Sequence, residues 1–129
     1  MKEPTWVLAD VALAVHSLVL AEHGGESGIR DSALLSSALT RPKQKFNYEP
    51  DISIFELAAS YSFGLAKNHP FIDGNKRVAF TVGVLFLELN EYLLKASEPE
   101  AVITFESLTE GKITETELAQ WFTLNSDPA

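Results

Sequence analysis

The stretch that decides the fold reads HPFIDGNKR and occupies residues 69–77. Before it, SIFE at 53–56 matches a capping box, in which serine and glutamate satisfy each other's backbone donors, and predicts a helix over about 54–67. Pro70 ends that helix because it disfavours helical geometry in the residue before it. After it, residues 75–89 are apolar on most helical faces, which predicts a central buried helix. The pattern therefore predicts two helices joined by a glycine-containing loop.

Four further helices are predicted on either side from the same kinds of start and stop signals. They run from Val7 to Glu22 before the Gly24-Gly25 pair, from an Asp31 cap to about Thr40 before Pro42, from a Ser97 capping box to Gly111, and from a Thr114 capping box through Phe122. No repeat or long linker interrupts them. The sequence thus predicts an all-α bundle of about six helices in a single domain, residues 1–129.

The remaining segments are predicted to be non-helical. Residues 41–51, RPKQKFNYEPD, contain two prolines and no helical period, and Phe46 alternates with Tyr48, so we expect an exposed loop or short hairpin. The short apolar run from Tyr92 to Leu94 is compatible with an extended segment. Residues 125–129 are expected to fray.

The composition excludes several classes of protein. The 129 residues are 46% apolar and include no cysteine, which excludes disulfide scaffolds, thiolate metal sites and cysteine nucleophiles. A net charge of −8 argues against a protein that binds nucleic acid or an anionic membrane through bulk charge. We expect no signal peptide, and the apolar run from Val78 to Leu87 is too short to span a bilayer, so a cytoplasmic protein is expected.

The negative charge is distributed unevenly along the chain. Residues 1–87 hold nine acids and eight bases, a net −1, whereas residues 88–129 hold nine acids and two bases, a net −7. Two groups of bases stand out in the near-neutral part, at Arg41, Lys43 and Lys45 and at Lys76 and Arg77. These are the two places where a phosphate is expected to bind.

The loop between the central helices combines the groups that a nucleotide phosphate site needs. A helix N-terminus offers unpaired N–H groups and a positive dipole end, Gly74 permits close approach of a ligand, and Lys76 and Arg77 add charge. Asp73 fits beside these cations if Mg²⁺ bridges it to phosphate oxygens, and His69 can act as general base. A simpler interpretation stays open, in which the histidine ends a helix and the aspartate caps the next.

The run HPFIDGNKR resembles the signature of the Fic/Doc superfamily, and in detail its Doc (death-on-curing) toxin branch. The resemblance extends through the segment from His16 to Gly25, the Gly28 to Asp31 stretch, the Arg41-Pro42 pair and the end of the central helix at Glu88 to Asn90. It implies a Fic/Doc-like bundle with a short flap, a loop or hairpin that docks the main chain of the target by strand-like pairing. Residues 41–51 are expected to form that flap.

The resemblance also implies a role for each residue of the signature. His69 is expected to be the catalytic base that accepts the proton of a target hydroxyl, and Phe71 to anchor the loop in the core. Asp73 is expected to bind Mg²⁺. The phosphates of ATP are expected to be held by Gly74, Asn75, Lys76 and Arg77.

Two positions bear on the reaction type. Relatives that transfer AMP have glycine at the position of Lys76 and arginine at that of Phe80, whereas Doc-type members share the residues found here. The resemblance therefore implies a kinase that passes the γ-phosphoryl group of ATP to a hydroxyl of a translation elongation factor similar to elongation factor Tu, which would block protein synthesis. An adenylyltransferase of the same superfamily and a binding module without catalytic activity are the alternatives.

A sequence pattern for self-inhibition is absent. In the superfamily an inhibitory helix reads Ser/Thr-x-x-x-Glu-Gly/Asn, but the only glutamate followed by glycine or asparagine is Glu110, and Glu106 stands four residues before it. The resemblance then implies restraint by a separate antitoxin, similar to Phd, whose disordered tail folds on binding. No direct nucleic-acid partner and no membrane partner are expected.

Overall fold

A computed structural model describes residues 3–129. This part of the chain forms six helices and one pair of short strands: α1 (Ala9–His23), α2 (Ser32–Tyr48), α3 (Ile54–Asn68), α4 (Asn75–Leu89), β1 (Tyr92–Leu94), α5 (Glu98–Thr109), α6 (Glu115–Leu124) and β2 (Ser126–Pro128). The predicted all-α class is confirmed. None of the helices in residues 3–129 combines the length and the hydrophobicity needed to cross a membrane.

Helix α3 lies at the centre of the core and packs against α2, α4 and α6, so the central helix is α3 and not, as the sequence predicts, α4. At its contact with α4, Gly83 allows the two backbones to approach so closely that a Cβ there would lie 2.2 Å from the Oγ of Ser62. That hydroxyl is itself held in place because it donates to the carbonyl oxygen of Ala79 over 2.7 Å. Tyr61 is fully buried, and burial raises the pKa of Tyr61 to about 12, although its hydroxyl accepts from the N–H of Val7.

The predicted caps start four of the helices, and at α2 the carboxylate of Asp31 accepts from the N–H of Leu34. Ser53 and Ser97 accept from the N–H groups of Glu56 and Glu100 and so begin α3 and α5. At α6 both hydrogen bonds of the capping box form, because the carboxylate of Glu117 also accepts from the backbone of Thr114. The bounds of α4 agree with the predicted 75–89, so the helices on both sides of the loop lie where the sequence indicates.

The prediction of a loop or hairpin at residues 41–51 is wrong. Helix α2 continues through Pro42 to Tyr48, and only the next few residues form a turn. An internal proline costs a helix about 3 kcal/mol, but here tertiary contacts offset that cost. Pro42 is fully buried, and Phe46 packs edge-on against Trp6 with ring centroids 5.7 Å apart.

A carboxylate on α6 holds the second half of α2 in place. Glu115 accepts from the guanidinium of Arg41 at 2.5 and 3.0 Å and from the ammonium of Lys45 at 2.5 Å. Burial acts to raise the pKa of Glu115, but the hydrogen bonds and charges of Arg41 and Lys45 together outweigh it, so the pKa lies below its ordinary value. Arg41 and Lys45, two of the three bases at which the sequence predicts a phosphate site, are therefore already paired with a carboxylate.

We expect Glu115→Gln to lower the free energy of unfolding by about 1–2 kcal/mol at pH 7, between the values typical of exposed and buried ion pairs. Since the folded-state pKa of Glu115 is depressed, its contribution is present above the ordinary pKa of about 4.3 and lost as pH falls through the folded value. The difference between the variant and the unmodified chain should therefore shrink below about pH 4 in urea denaturation. Glu110→Gln, which removes an exposed pair with Lys112, is the control and should cost less than about 0.5 kcal/mol at either pH.

The predicted fraying of residues 125–129 is also wrong. Strand β2 pairs antiparallel with β1 in the register Tyr92 to Pro128 and Leu94 to Ser126. The N–H of Ala129 donates to the carbonyl of Glu91 over 2.9 Å and closes the pair. Backbone pairing fixes a tail that its polar composition alone would leave loose, and it confirms the extended segment at β1.

Candidate active site

The loop between α3 and α4, residues 69–74 and hereafter the α3–α4 loop, reverses the chain between two left-handed residues. His69 ends α3 with φ 51° and ψ 52°, and Gly74 begins α4 with φ 81°. Between them, Pro70 and Phe71 are fully buried, as the resemblance implies for Phe71. The loop therefore brings the end of α3 next to the N-terminus of α4.

The side chain of Asn75 closes this loop from within. Its Oδ1 accepts from the N–H of Phe71, and its Nδ2 donates to the carbonyl of Phe71, both over 2.9 Å. The other hydrogen of Nδ2 points to Nδ1 of His69, and the two nitrogen atoms are 3.2 Å apart. Asn75 is only 4% exposed, so its side chain holds the loop, and the group it can offer a phosphate is its backbone N–H.

This contact defines the tautomer of His69. Because the amide group of Asn75 donates, Nδ1 of His69 accepts, and the neutral ring carries its hydrogen on Nε2. The imidazole itself is exposed to solvent. A proton can be taken up at Nε2 once the ring has exchanged to the Nδ1–H tautomer, and catalytic hydrogen bonds commonly tighten only when substrate is bound.

All six residues predicted for the site line one shallow cavity of about 290 Å³, together with Ile72: they are His69, Asp73, Gly74, Asn75, Lys76 and Arg77. The first hydrogen bond within α4 is donated by the N–H of Val78 to the carbonyl oxygen of Gly74. The N–H groups of Asn75, Lys76 and Arg77 therefore have no acceptor within the helix. The Nζ atom of Lys76 lies 3.7 Å from Oε1 of Glu106 on α5, which is an exposed ion pair. Arg77 forms no ion pair within residues 3–129. The arrangement can bind an anion at the start of α4.

The carboxylate of Asp73 is oriented by backbone amides. Its Oδ2 accepts from the N–H of Glu26 and its Oδ1 from that of Gly74, both over 3.1 Å. No group of three or more potential ligand side chains that could hold a metal ion occurs in residues 3–129. One exposed carboxylate beside a phosphate site nevertheless fits Mg²⁺, which commonly takes one or two carboxylates and completes its shell with phosphate oxygens and water.

A larger cleft adjoins the loop cavity and shares Lys76 and Arg77 with it. It has a volume of about 490 Å³ and lies between α4, α5 and β1. Its walls are mostly apolar and include Phe80, Val84, Leu94, Ala101 and Phe105. Its volume falls in the range of small-molecule sites, so a ligand with a planar apolar part and a phosphate tail can fill both cavities.

An extended segment supports the α3–α4 loop from the side, and sequence reasoning missed it. In the loop between α1 and α2, residues 24–31 and hereafter the α1–α2 loop, the N–H of Arg30 donates to the carbonyl of Pro70 over 2.7 Å. The N–H of Ile72 donates to the carbonyl oxygen of Gly28 over 3.1 Å. Together these two hydrogen bonds form an antiparallel β-bridge between Ile29 and Phe71. The strand-like element beside the site is therefore this loop and not residues 41–51.

The α1–α2 loop also supplies a cation that sequence reasoning did not select. The guanidinium of Arg30 donates over 2.7 Å to the carbonyl oxygen of Asn68, the last residue of α3, and to that of His69, which follows it. These contacts hold the backbone of His69 in its left-handed conformation. No sequence pattern indicates them, because the arginine is separated by 39 residues from the carbonyl it binds.

Two comparisons with known proteins match the chain. A family model described as the Fic/DOC family matches residues 6–87, which include α1 to α3 and nearly all of α4. The chain is 30% identical to a protein named Protein kinase doc from Escherichia phage P1 over 107 residues, 83% of this chain and 84% of that protein. It is 36% identical to a protein named Toxin Doc from Mycolicibacterium smegmatis over 74 residues, 57% of each chain.

Proposed function

The chain belongs to the Fic/DOC family, and on that premise we propose that it is a Doc-like toxin acting as a kinase. It would transfer the γ-phosphoryl group of ATP to a hydroxyl side chain of a translation factor similar to elongation factor Tu, and so block protein synthesis. One observation carries the proposal: the imidazole of His69, the carboxylate of Asp73 and the cations of Lys76 and Arg77 line the same cavity at a helix N-terminus.

In this proposal the start of α4 binds the phosphates of ATP. The backbone N–H groups of Asn75, Lys76 and Arg77 would donate to the anion, and the two cationic side chains add charge. Gly74, whose own N–H donates to Oδ1 of Asp73, would let the phosphates approach the backbone closely. Mg²⁺ held by Asp73 would neutralise charge on the phosphate oxygens. The cleft between α4 and α5 has the volume and the apolar walls for the nucleoside.

His69 is the proton acceptor in this scheme. As the hydroxyl oxygen of the target forms its bond to the γ-phosphorus and the bond from that phosphorus to the departing ADP breaks, the hydroxyl proton passes to Nε2 of His69. The ring must then hold its own hydrogen on Nδ1, which gives up the contact with Asn75. Arg30 keeps the backbone of the histidine in place during that change because it binds the carbonyl and not the ring.

Lys76 and Phe80 favour phosphoryl transfer over adenylyl transfer. Phe80 packs edge-on against Phe105 with ring centroids 5.1 Å apart, in the wall of the cleft, where an arginine would have added a further cation for phosphate. Lys76 provides a charged side chain at a position where AMP-transferring relatives have glycine. The printed name of the phage P1 relative, a protein kinase, is in keeping with this choice.

We also propose that the target docks on the α1–α2 loop. The two hydrogen bonds that Arg30 and Ile72 form face the α3–α4 loop, so the N–H and C=O of Ile29 face the opposite edge. Within residues 3–129 neither group takes part in a backbone hydrogen bond. An extended target segment can pair with this edge next to His69.

The partners proposed for this chain are that cytoplasmic target and an antitoxin similar to Phd, whose disordered tail folds on the toxin. Similarity to a protein named as a Doc toxin supports a toxin–antitoxin pair. No direct nucleic-acid partner is proposed, because two of the three bases of α2, Arg41 and Lys45, are paired with Glu115, which leaves Lys43 alone rather than a basic surface.

Incubation of the chain with Mg²⁺, ATP and a purified elongation factor, followed by intact-mass spectrometry of the factor, tests the reaction. We expect a gain of about 80 Da, which is one phosphoryl group. A gain of about 329 Da would instead identify an adenylyltransferase. If candidate factors gain no mass and expression of the chain without antitoxin is harmless, a binding module without catalytic activity is the better description.

A further inference from the structure

His16 connects the hydrophobic core to the α3–α4 loop. It lies on the buried face of α1, is only 6% exposed, and has Val15 and Val19 as buried neighbours on the same helix. Burying an imidazole is costly unless its polar atoms are satisfied. Its Nε2 lies 2.9 Å from the carbonyl oxygen of Asp73, and because a carbonyl only accepts, Nε2 is the donor.

A second contact fixes the position of the His16 ring. It stacks on the ring of Phe71 with centroids 3.9 Å apart and an interplanar angle of 13°. Phe71 is fully buried, and its N–H and C=O are both bound by Asn75. The donor on Nε2 therefore has little freedom to move away from Asp73.

The hydrogen bond of His16 defines one peptide plane in the loop. A trans peptide is planar, with its C=O and N–H in opposite directions, and the described chain has no cis peptide. When the carbonyl of Asp73 points to His16 in the core, the N–H of Gly74 must point away from the core, where it donates to Oδ1 of Asp73. The ring also covers the inner side of this peptide, since a Cβ on Gly74 would lie 3.8 Å from Cδ2 of His16.

We propose that His16 is a positioning residue for nucleotide binding. By fixing the Asp73–Gly74 peptide it orients the backbone from which the carboxylate of Asp73 extends, and with it the entry of the chain into α4, where the phosphate-binding N–H groups begin. This inference rests on the proposed function, because the ligand it serves is ATP with Mg²⁺. A merely structural histidine would contribute to stability but not to affinity.

Two variants that carry the same amide group on side chains of different length separate these two roles. In His16→Gln the Nε2 of the amide can reach about the place of the imidazole Nε2, whereas His16→Asn carries the same amide on a side chain one methylene shorter. His16→Phe keeps an aromatic ring for Phe71 and removes the donor. For each variant we would measure the melting temperature and the dissociation constant of a non-hydrolysable ATP analogue with Mg²⁺ by isothermal titration calorimetry.

We expect His16→Asn and His16→Phe to weaken binding by about 10- to 100-fold, the range seen when residues that support metal ligands are removed. His16→Gln should remain within about three-fold of the unmodified chain, at a melting temperature close to that of His16→Asn. Equal affinities for the glutamine and asparagine variants would overturn the proposal. So would a loss of affinity that only follows the loss of melting temperature across the three variants.

A second readout keeps the inference separate from the proposed function. If the unmodified chain does not bind the ATP analogue, the proposed function fails, and the amide chemical shift of Gly74 in a ¹⁵N spectrum decides on His16 alone. That signal should move in the asparagine and phenylalanine variants and return toward its original position in the glutamine variant. A Gly74 signal that is the same in all of them would show that His16 does not orient this peptide.

Discussion

His69→Ala is expected to lower the rate of phosphoryl transfer by about 10²- to 10⁴-fold, the contribution typical of a positioned general base. The affinity for ATP should stay nearly unchanged, because the phosphate ligands proposed here are the amides and cations of α4 and not the imidazole. The rate would be followed by incorporation of labelled phosphate from ATP into the elongation factor, and the affinity by calorimetry.

The left-handed backbone of His69 requires a control. Alanine disfavours this conformation, whereas asparagine tolerates it, so His69→Asn removes the base while it leaves the turn relaxed. Both variants should be equally inactive, and the asparagine variant should have the higher melting temperature. Activity of His69→Asn close to that of the unmodified chain would exclude the histidine as the proton acceptor.

Gly83→Ala is expected to have the largest effect on stability, a loss of about 3 kcal/mol in the free energy of unfolding. The new methyl group would lie 2.2 Å from Oγ of Ser62 and 3.1 Å from Cζ of Phe122, so the serine must give up its present rotamer and its hydrogen bond, or the helices must move apart. Urea denaturation would measure the loss. Gly64→Ala is a matched control in α3, because its methyl group would meet Ala38 at an ordinary 3.4 Å.

A double-mutant cycle identifies the cause of that loss. Ser62→Ala alone should cost about 1 kcal/mol, since the bond to the carbonyl of Ala79 is lost. Combined with Gly83→Ala it should recover part of the overpacking cost, because the closest atom has been removed. If Gly83→Ala is as stable as Gly64→Ala, or if the two effects simply add, the close approach of the helices is not the reason that glycine stands at position 83.

Local signals predicted the helices well wherever the chain carries its own start and stop. The serine and threonine caps at Ser53, Ser97 and Thr114 act within three residues, and the bend at Pro70 acts on its neighbour. The continuation of α2 beyond Pro42 could not be predicted, because Trp6 and Glu115, which stabilise this part of the helix, are distant in sequence. The C-terminal strand was missed for the same reason, since its partner is β1.

In the candidate site, too, the local features could be predicted from the sequence and the contacts between distant residues could not. The residues expected to meet the ligand lie within one nine-residue run, so their proximity could be predicted from the sequence. Of the groups that hold this run in place, Asn75 lies within it, but Arg30 and His16 lie on other parts of the chain. Arg30 and His16 bind carbonyl oxygens of the loop, and a contact with a backbone carbonyl leaves no requirement on the residue type there and hence no pattern to find.

The outward-facing edge of Ile29 has a consequence for how the acceptor hydroxyl would be chosen. A target strand paired there would be held by its main chain, which is the same for every sequence. Since a strand advances about 3.3 Å per residue and turns successive side chains to opposite faces, a slip of one residue would carry the hydroxyl away from His69. Modification would then fall on a single serine or threonine because of its register on the edge, even where identical residues flank it.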